Sequence, residues 1–228
     1  YKELYYAEVA ARTDASSRFG KDHRWGMFWS LGFMWNIKNE AFLKDIEWLT
    51  NAQIKLSTGT SGNSEIPYYD HLALVAGDAN YNDEAGIYPK QSGNEELSWE
   101  QTWANNIGLT LGFFNRVNLN VDFYHKKTTN MLMLVPQSYA ITGVGNRWDN
   151  IGAMINRGVE IAMDGDVIRT KDFTWNLSAN VSYNKNKLLE LYNGVEEYVN
   201  STTGLKYVVG HPVHEYYMNR YAGVNPAN

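Results

Sequence analysis

Few residues in this 228-residue chain are arranged for bond chemistry. His211-Pro212-Val213-His214-Glu215 has the residue types of a metal site. A zinc-binding helix needs two histidines four apart with a glutamate between them, and that order is absent. On a strand, His211 and His214 point to opposite faces. Glu160, Asp164 and Asp166 share one strand face, and paired carboxylates can move protons. The same spacing also builds a plain polar wall, which is the reading preferred here. Gly59, Gly62 and Asn63 are not followed by the Gly-Lys-Ser/Thr of a phosphate loop. Asn176-Leu177-Ser178 fits a glycosylation sequon, yet it lies inside a strand-like run. No serine–histidine–aspartate set can be assembled. The chain reads as a non-enzyme, with no cofactor and no metal.

Aromatic residues are the outlier: 16 Tyr, 8 Trp and 8 Phe. Tyr68, Tyr69, Tyr81, Tyr88 and Trp148 fall in irregular stretches. There a ring can stack on a ligand, pack loops together or contact a partner protein. Trp25, Trp29, Trp35, Trp103, Phe173, Trp175 and Tyr183 fall in alternating stretches. For these, lipid contact or a membrane-interface girdle is preferred over a sugar-stacking platform.

The elements that carry these residues read as strands. In residues 173–184, FTWNLSANVSYN, Phe173, Trp175, Leu177, Ala179, Val181 and Tyr183 share one face, and the other is Thr, Asn and Ser. An apolar face that begins and ends in aromatics suits a strand in lipid. Residues 25–36 repeat the pattern, with Trp25, Met27, Trp29, Leu31, Phe33 and Trp35 together. Three tryptophans on one exposed face would be a liability in a soluble monomer. Further strands are expected over residues 4–13, 52–60, 97–113, 117–128, 151–168 and 213–224. Residues 37–49 read as a capping turn at a barrel rim in preference to a short amphipathic helix.

Composition narrows the class. The chain has no cysteine, which excludes a disulfide framework and thiolate metal sites. Its net charge of −5 gives no basic excess for nucleic acid. No apolar run is long enough for a transmembrane helix. A mean hydropathy of −0.45 is compatible with a barrel, because only alternate residues of each strand face lipid. No leader peptide opens the sequence, and Tyr1-Lys2-Glu3-Leu4 reads as the interior of a longer protein.

The connections alternate in length. Residues 14–23, 61–96, 129–150 and 185–210 are long, while 114–116 and 169–172 are tight. Long loops on one side and short turns on the other belong to an up-and-down outer-membrane barrel, with the long loops outside. A soluble carbohydrate-binding β-module would explain the aromatics but not this alternation. A non-transporting outer-membrane receptor or adhesin would share the whole pattern.

Several runs are shared with a known family. They are RTDASSRFG (12–20), RWGMFWSLGFMW (24–35), LSTGTSGN (56–63), LSWEQTWANNIGL (97–109), FFNRVNLNVDFYHKKTTNML (113–132), NIGAMINRGVEI (150–161), RTKDFTWNLSANVSYNKNKLLEL (169–191) and AGVNPA (222–227). Across essentially its whole length the chain resembles the SusC/RagA family of TonB-linked outer-membrane proteins of Bacteroidota. Trp29 stands where that family usually has proline. The resemblance implies an all-β, antiparallel up-and-down transmembrane barrel of about twenty-two strands with a plugged lumen. Residues 1–228 would be part of the C-terminal barrel domain, about eight strands, without the plug or the TonB-contacting segment. It further implies TonB-dependent import of nutrient oligomers, glycan before peptide, in the cell outer membrane. The implied partners are a SusD-like surface lipoprotein, TonB through the N-terminal region, an oligosaccharide or peptide ligand, and outer-membrane lipid.

Overall fold

A computed structural model describes residues 1–200, 204–213, 215, 216, 218, 219, 221 and 223, apart from the side chains of Tyr81 and Asn200. Its strands are β1 (Tyr5–Ala15), β2 (Trp25–Asn36), β3 (Leu49–Asn63), β4 (Leu74–Tyr81), β5 (Glu84–Gln91), β6 (Glu100–Phe113) and β7 (Val117–Thr129). They continue with β8 (Leu132–Pro136), β9 (Asn146–Asn150), β10 (Ala153–Arg169), β11 (Thr174–Glu190), β12 (Glu197–Asn200), β13 (Leu205–Val208) and β14 (Glu215–Tyr216). Seven of them form one antiparallel sheet in the order β1-β2-β3-β6-β7-β10-β11. Each wall strand lies beside its predecessor in the chain once the hairpins β4-β5 and β8-β9 are set aside as excursions. Among the described residues β1 and β11 are open edges.

Register turns the alternation of single strands into a property of the sheet. One row runs Ala7, Phe33, Leu56, Ile107, Phe123, Val159 and Tyr183. The adjacent row on the same face runs Tyr5, Trp35, Ile54, Leu109, Val121, Ile161 and Val181. On the other face lie Glu8, Gly32, Ser57, Asn106, Tyr124, Gly158 and Asn184. A slip of one residue would move every side chain to the wrong face, so the pattern itself pins the register. The polar face is laced by hydrogen bonds, Asn106 Nδ2 to Ser57 Oγ at 3.1 Å, Thr110 Oγ1 to Asn120 Oδ1 at 2.9 Å and Asn118 Nδ2 to Asp164 Oδ2 at 2.9 Å. Tyr124 reaches across Gly158 to donate to Asn184 Oδ1 at 3.1 Å. A Cβ at Gly158 would collide with that ring, so the missing side chain makes the crossing possible. Glu160 and Asp164 stand on this polar face. Asp166 lies beside the register shift at the turn end, 3.6 Å from Arg169.

Among the described residues the wall strands bury only scattered apolar side chains near their ends, such as Phe28, Ala52 and Leu188. Val9, Trp25, Met27, Ile107, Phe123, Val181 and Tyr183 are all exposed on the apolar face. Total accessible surface is 16145 Å². A compact soluble monomer of 26.0 kDa would expose about 10,500 Å². A sandwich would have closed one face against a second sheet; here both faces stay open.

The apolar band crosses the sheet obliquely. Its outermost ring is Tyr183 on β11 and Trp25 on β2, and Trp25 lies eight residues beyond Phe33, the residue in Tyr183's row. Over the five strand steps between β11 and β2, at about 3.3 Å per residue and about 4.8 Å per step, the slope is about 45°. That is close to the tilt of strands crossing a bilayer.

At one end the turns are tight. Phe114 and Asn115 both have positive φ, 54° and 49°, and Arg116 N–H donates to Phe113 O at 2.9 Å. This is the twisted hairpin turn that matches the twist of its strands. Thr170 and Phe173 close the β10–β11 turn. Residues 37–48 form a 3₁₀ turn, Ile37–Asn39, followed by turns with no longer helix. Lys38 Nζ ties this rim by donating to the carbonyls of Leu43, Lys44 and Ile46 at 2.9, 3.1 and 2.7 Å. Glu40 accepts from Tyr5 at 2.7 Å and from Trp35 at 3.0 Å, fixing two aromatics at the same end.

Three expectations need correction. The stretches 61–96 and 129–150 are not irregular throughout, since they contain β4-β5 and β8-β9. β11 runs six residues past Asn184 to Glu190, because Asn186 and Leu188 continue the pairing with β10. The wall has seven described strands rather than eight. Within residues 213–224, β14 pairs with β13 in a separate three-stranded sheet, and residues 214, 217, 220, 222 and 224 lie outside the described ones.

The face assignment predicts unequal effects at neighbouring positions of β11. Val181→Arg puts a charge on the apolar face at a cost of about 2–4 kcal/mol in a bilayer midplane. Asn180→Leu should cost less. Folded yield of the full-length protein, read as the heat-modifiable band on a denaturing gel, should fall clearly for the first and little for the second.

Candidate functional site

The long connections emerge at the end opposite the tight turns, and they converge. Phe19 from the β1–β2 connection, with Ile66 and Leu97 from the β3–β6 connection, forms a buried cluster. Trp99, Leu132 and Trp148 pack against it. Trp99 meets Phe19 edge-on at 5.6 Å and Phe28 at 5.4 Å, and its ring N–H donates to Arg24 O at 2.9 Å. The few apolar residues of otherwise polar loops thus bury one another where β2 and β3 part company above Ser30 and Gly59.

Side-chain amides stitch the loops together. Asn150 donates to Ser98 O at 2.8 Å and to Asn130 O at 3.1 Å, and accepts from Ser98 N–H at 2.7 Å. Asn94 donates to Trp148 O at 3.0 Å and to the Asp149 carboxylate. Arg147 forks onto Asp149 at 3.2 and 3.0 Å. Asp149 is only 7% exposed, and these donors are what make its burial tolerable. Leu132 N–H donates to Glu100 at 3.1 Å. Burial pushes the Asp70 carboxyl up, opposed by a hydrogen bond from Trp148 and by neighbouring His71.

On this platform stand exposed aromatics. Tyr68 is 66% exposed, with the Arg18 guanidinium 4.7 Å from its ring centroid. Tyr69 is also exposed, and Gln91 holds its loop by donating to the carbonyls of Tyr69 and Leu72, both at 2.8 Å. Tyr88 is exposed, and its hydroxyl bonds Asp78, whose carboxylate raises the phenol pKa. Tyr81 ends β4, and its side chain lies outside the described residues. Trp148 differs from the tyrosines because it is half-buried in the loop core.

Sequence reasoning missed several exposed apolar residues of the two hairpins: Val75, Ile87, Leu134, Tyr139 and Ile141. Tyr139 and Ile141 sit in a single helical turn, Tyr139–Thr142, ended by Gly143 at φ 70°. The signal was their isolation among Gln, Ser, Thr and Gly. A Cβ on Gly143 would sit 3.1 Å from Pro89, so the tip of the β8-β9 hairpin touches β5. His211 Nδ1 lies 3.1 Å from Glu215, while His214 is outside the described residues. No cluster of three or more metal-ligating residues occurs among the described residues. The platform offers stacking rings, amides and apolar tips, which suits non-covalent capture.

Known proteins share this architecture. The family described as "TonB dependent receptor-like, beta-barrel" matches residues 5–224. The chain belongs to the TonB-dependent receptor β-barrel family. TonB-dependent receptor P39 of Formosa agariphila is 38% identical over 192 residues, 84% of this chain and 18% of that protein. TonB-dependent receptor SusC of Bacteroides thetaiotaomicron is 36% identical over 202 residues, 83% of this chain and 20% of that one. Among solved structures, the RagAB peptide transporter superposes with a TM-score of 0.90 at 38% identity, over 98% of this chain and 25% of its counterpart. The chain therefore spans about a fifth of the curated relatives it matches. The seven-stranded sheet is an unclosed piece of a TonB-dependent receptor barrel of SusC/RagA type.

If Trp148 and Asn94 hold the platform, Trp148→Ala and Asn94→Ala should loosen the loops and leave the wall intact. Limited proteolysis of the full-length protein mapped by mass spectrometry should show new cuts within residues 64–99 and 130–152, at unchanged folded yield.

Proposed function

We propose that this chain forms wall and outer mouth of an outer-membrane, TonB-dependent importer of nutrient oligomers. The observation that carries the reading is the seven-strand meander with one exposed apolar face, tight turns at one end and a loop platform at the other. In a bilayer the apolar face meets lipid, and the polar face lines a lumen. Trp25, Trp29, Trp103 and Tyr183 then lie at the outer interface, with Trp35, Phe173 and Trp175 at the periplasmic one. Residues 1–228 would be one arc of a C-terminal barrel domain, with the remaining strands pairing with β1 and β11. Membrane strands leave no edge unpaired.

The energy for uptake would come through TonB acting on another part of the protein. The loop platform would receive the ligand and a SusD-like surface lipoprotein. Tyr68, Tyr69 and Tyr88 are the ligand- or lid-contacting rings, and Trp148 positions the loops beneath them. Tyr139 and Ile141 add an apolar patch suited to a partner protein. The ligand is an oligosaccharide or a peptide. Exposed tyrosines suit sugar stacking, and the likeness to a peptide transporter supports the peptide class. Enzyme chemistry has no place in this account.

Two measurements test it. Full-length protein expressed in its host should fractionate with the outer membrane and require detergent for extraction. A protein soluble and monomeric without detergent contradicts the reading. A Tyr68→Ala/Tyr69→Ala variant should keep its folded yield and lose about tenfold or more in ligand or lid affinity, in line with two lost aromatic contacts.

A further inference from the structure

The two faces of the wall differ in charge as well as in polarity. On the apolar face, the outward positions of β1, β2, β3 and β6 carry no charged residue. On β7, β10 and β11 that same face carries His125, Lys127, Arg157, Lys185 and Lys187, all exposed. Of the acids within these three strands' paired spans, Asp122, Glu160, Asp164 and Asp166 stand on the other face, while Glu190 pairs with Ala153 at the last position of β11, beyond a register shift and outside the cationic rows.

Register gathers the cations. His125 pairs with Arg157 and Arg157 with Lys185, so the three stand side by side across three strands. Lys127 and Lys187 flank Ile155 one row further out. None of the five makes an ion pair within the described residues. Below them the wall forms an open groove of about 590 Å³, floored by Ile107, Phe123, Val159 and Tyr183 and rimmed by Asn105, His125, Arg157 and Lys185. A second hollow of about 330 Å³ continues past Lys187 and Leu189. The cations lie at the outer edge of the apolar band, toward the long loops.

We infer that this cationic row and groove bind a phosphate-bearing acylated lipid of the outer leaflet, headgroup on Arg157, Lys185, Lys127 and Lys187, and acyl chain along Phe123, Val159 and Tyr183. Charge complementarity selects the occupant. Four fixed cations without a counter-anion attract an anion, and the apolar groove directly beneath favours one with hydrocarbon attached. Scattered snorkelling lysines would not concentrate on three adjacent strands while four others carry none. The inference rests on the membrane placement proposed above.

The test uses full-length protein purified in non-ionic detergent, with diphosphoryl lipid A and its dephosphorylated form as probes. Binding is read as retained lipid by native mass spectrometry. The wild type should hold the phosphorylated lipid about tenfold or more tighter than the dephosphorylated one, and excess inorganic phosphate should not displace it. Arg157→Gln/Lys185→Gln should lose about tenfold or more in affinity. Arg157→Lys should retain most of it, and Lys55→Gln on the polar face should match the wild type. Equal affinity for both lipids, displacement by inorganic phosphate, or an equal loss in the Lys55 variant overturns the site and leaves the membrane placement standing. A protein that needs no detergent overturns both.

Discussion

Backbone pairing across the seven-strand wall is the constraint on which everything else depends. In hydrocarbon no water satisfies a free N–H or C=O, so each strand must be paired along the depth it spans. Pairing at that length fixes register, and register fixes which residues share a row. The rows from Ala7 to Tyr183 and from Tyr5 to Val181 are the result. They convert alternation in single strands into one continuous apolar band and one polar wall. In a bilayer such a wall needs no buried core, because its apolar residues would be stabilised by the lipid they face.

The loop platform obeys a different rule. It lies in water and folds by burying Phe19, Ile66 and Leu97 beneath Trp99 and Trp148. Its amide and carboxylate bonds join segments about fifty residues apart in sequence, such as Asn94 with Asp149 and Ser98 with Asn150. Such a junction holds loops steady without constraining their tips. Wall and platform can therefore vary independently.

Much of the wall was legible in the sequence. Strict two-residue periodicity in 173–184 and 25–36, and the tight turn at 114–116, needed only the geometry of a strand. The hairpins β4-β5 and β8-β9 were not legible, because Pro89, Pro136 and scattered glycines break their alternation, and β4-β5 carries register shifts as well. Trp148 could be read either way, since burial depends on residues fifty positions distant. The cationic row was hidden for a third reason. Asn184, Lys185, Asn186 and Lys187 look like the start of a polar loop, and only pairing with β10 shows that the lysines share a face with Tyr183.

If the wall spans a membrane, the two faces of β11 meet two different media. This chain has no cysteine, so once any cysteine elsewhere in the full-length protein is replaced, single cysteines can be placed one at a time along residues 174–188 in lipid bilayers. A nitroxide on each would report access to oxygen, which concentrates in lipid, and to a water-soluble nickel chelate. A two-residue alternation is expected, with lipid access at odd positions from Trp175 to Tyr183, water access at even positions, and a switch to water on the odd face at Lys185. Uniform water access on both faces, or alternation of opposite phase, would contradict it.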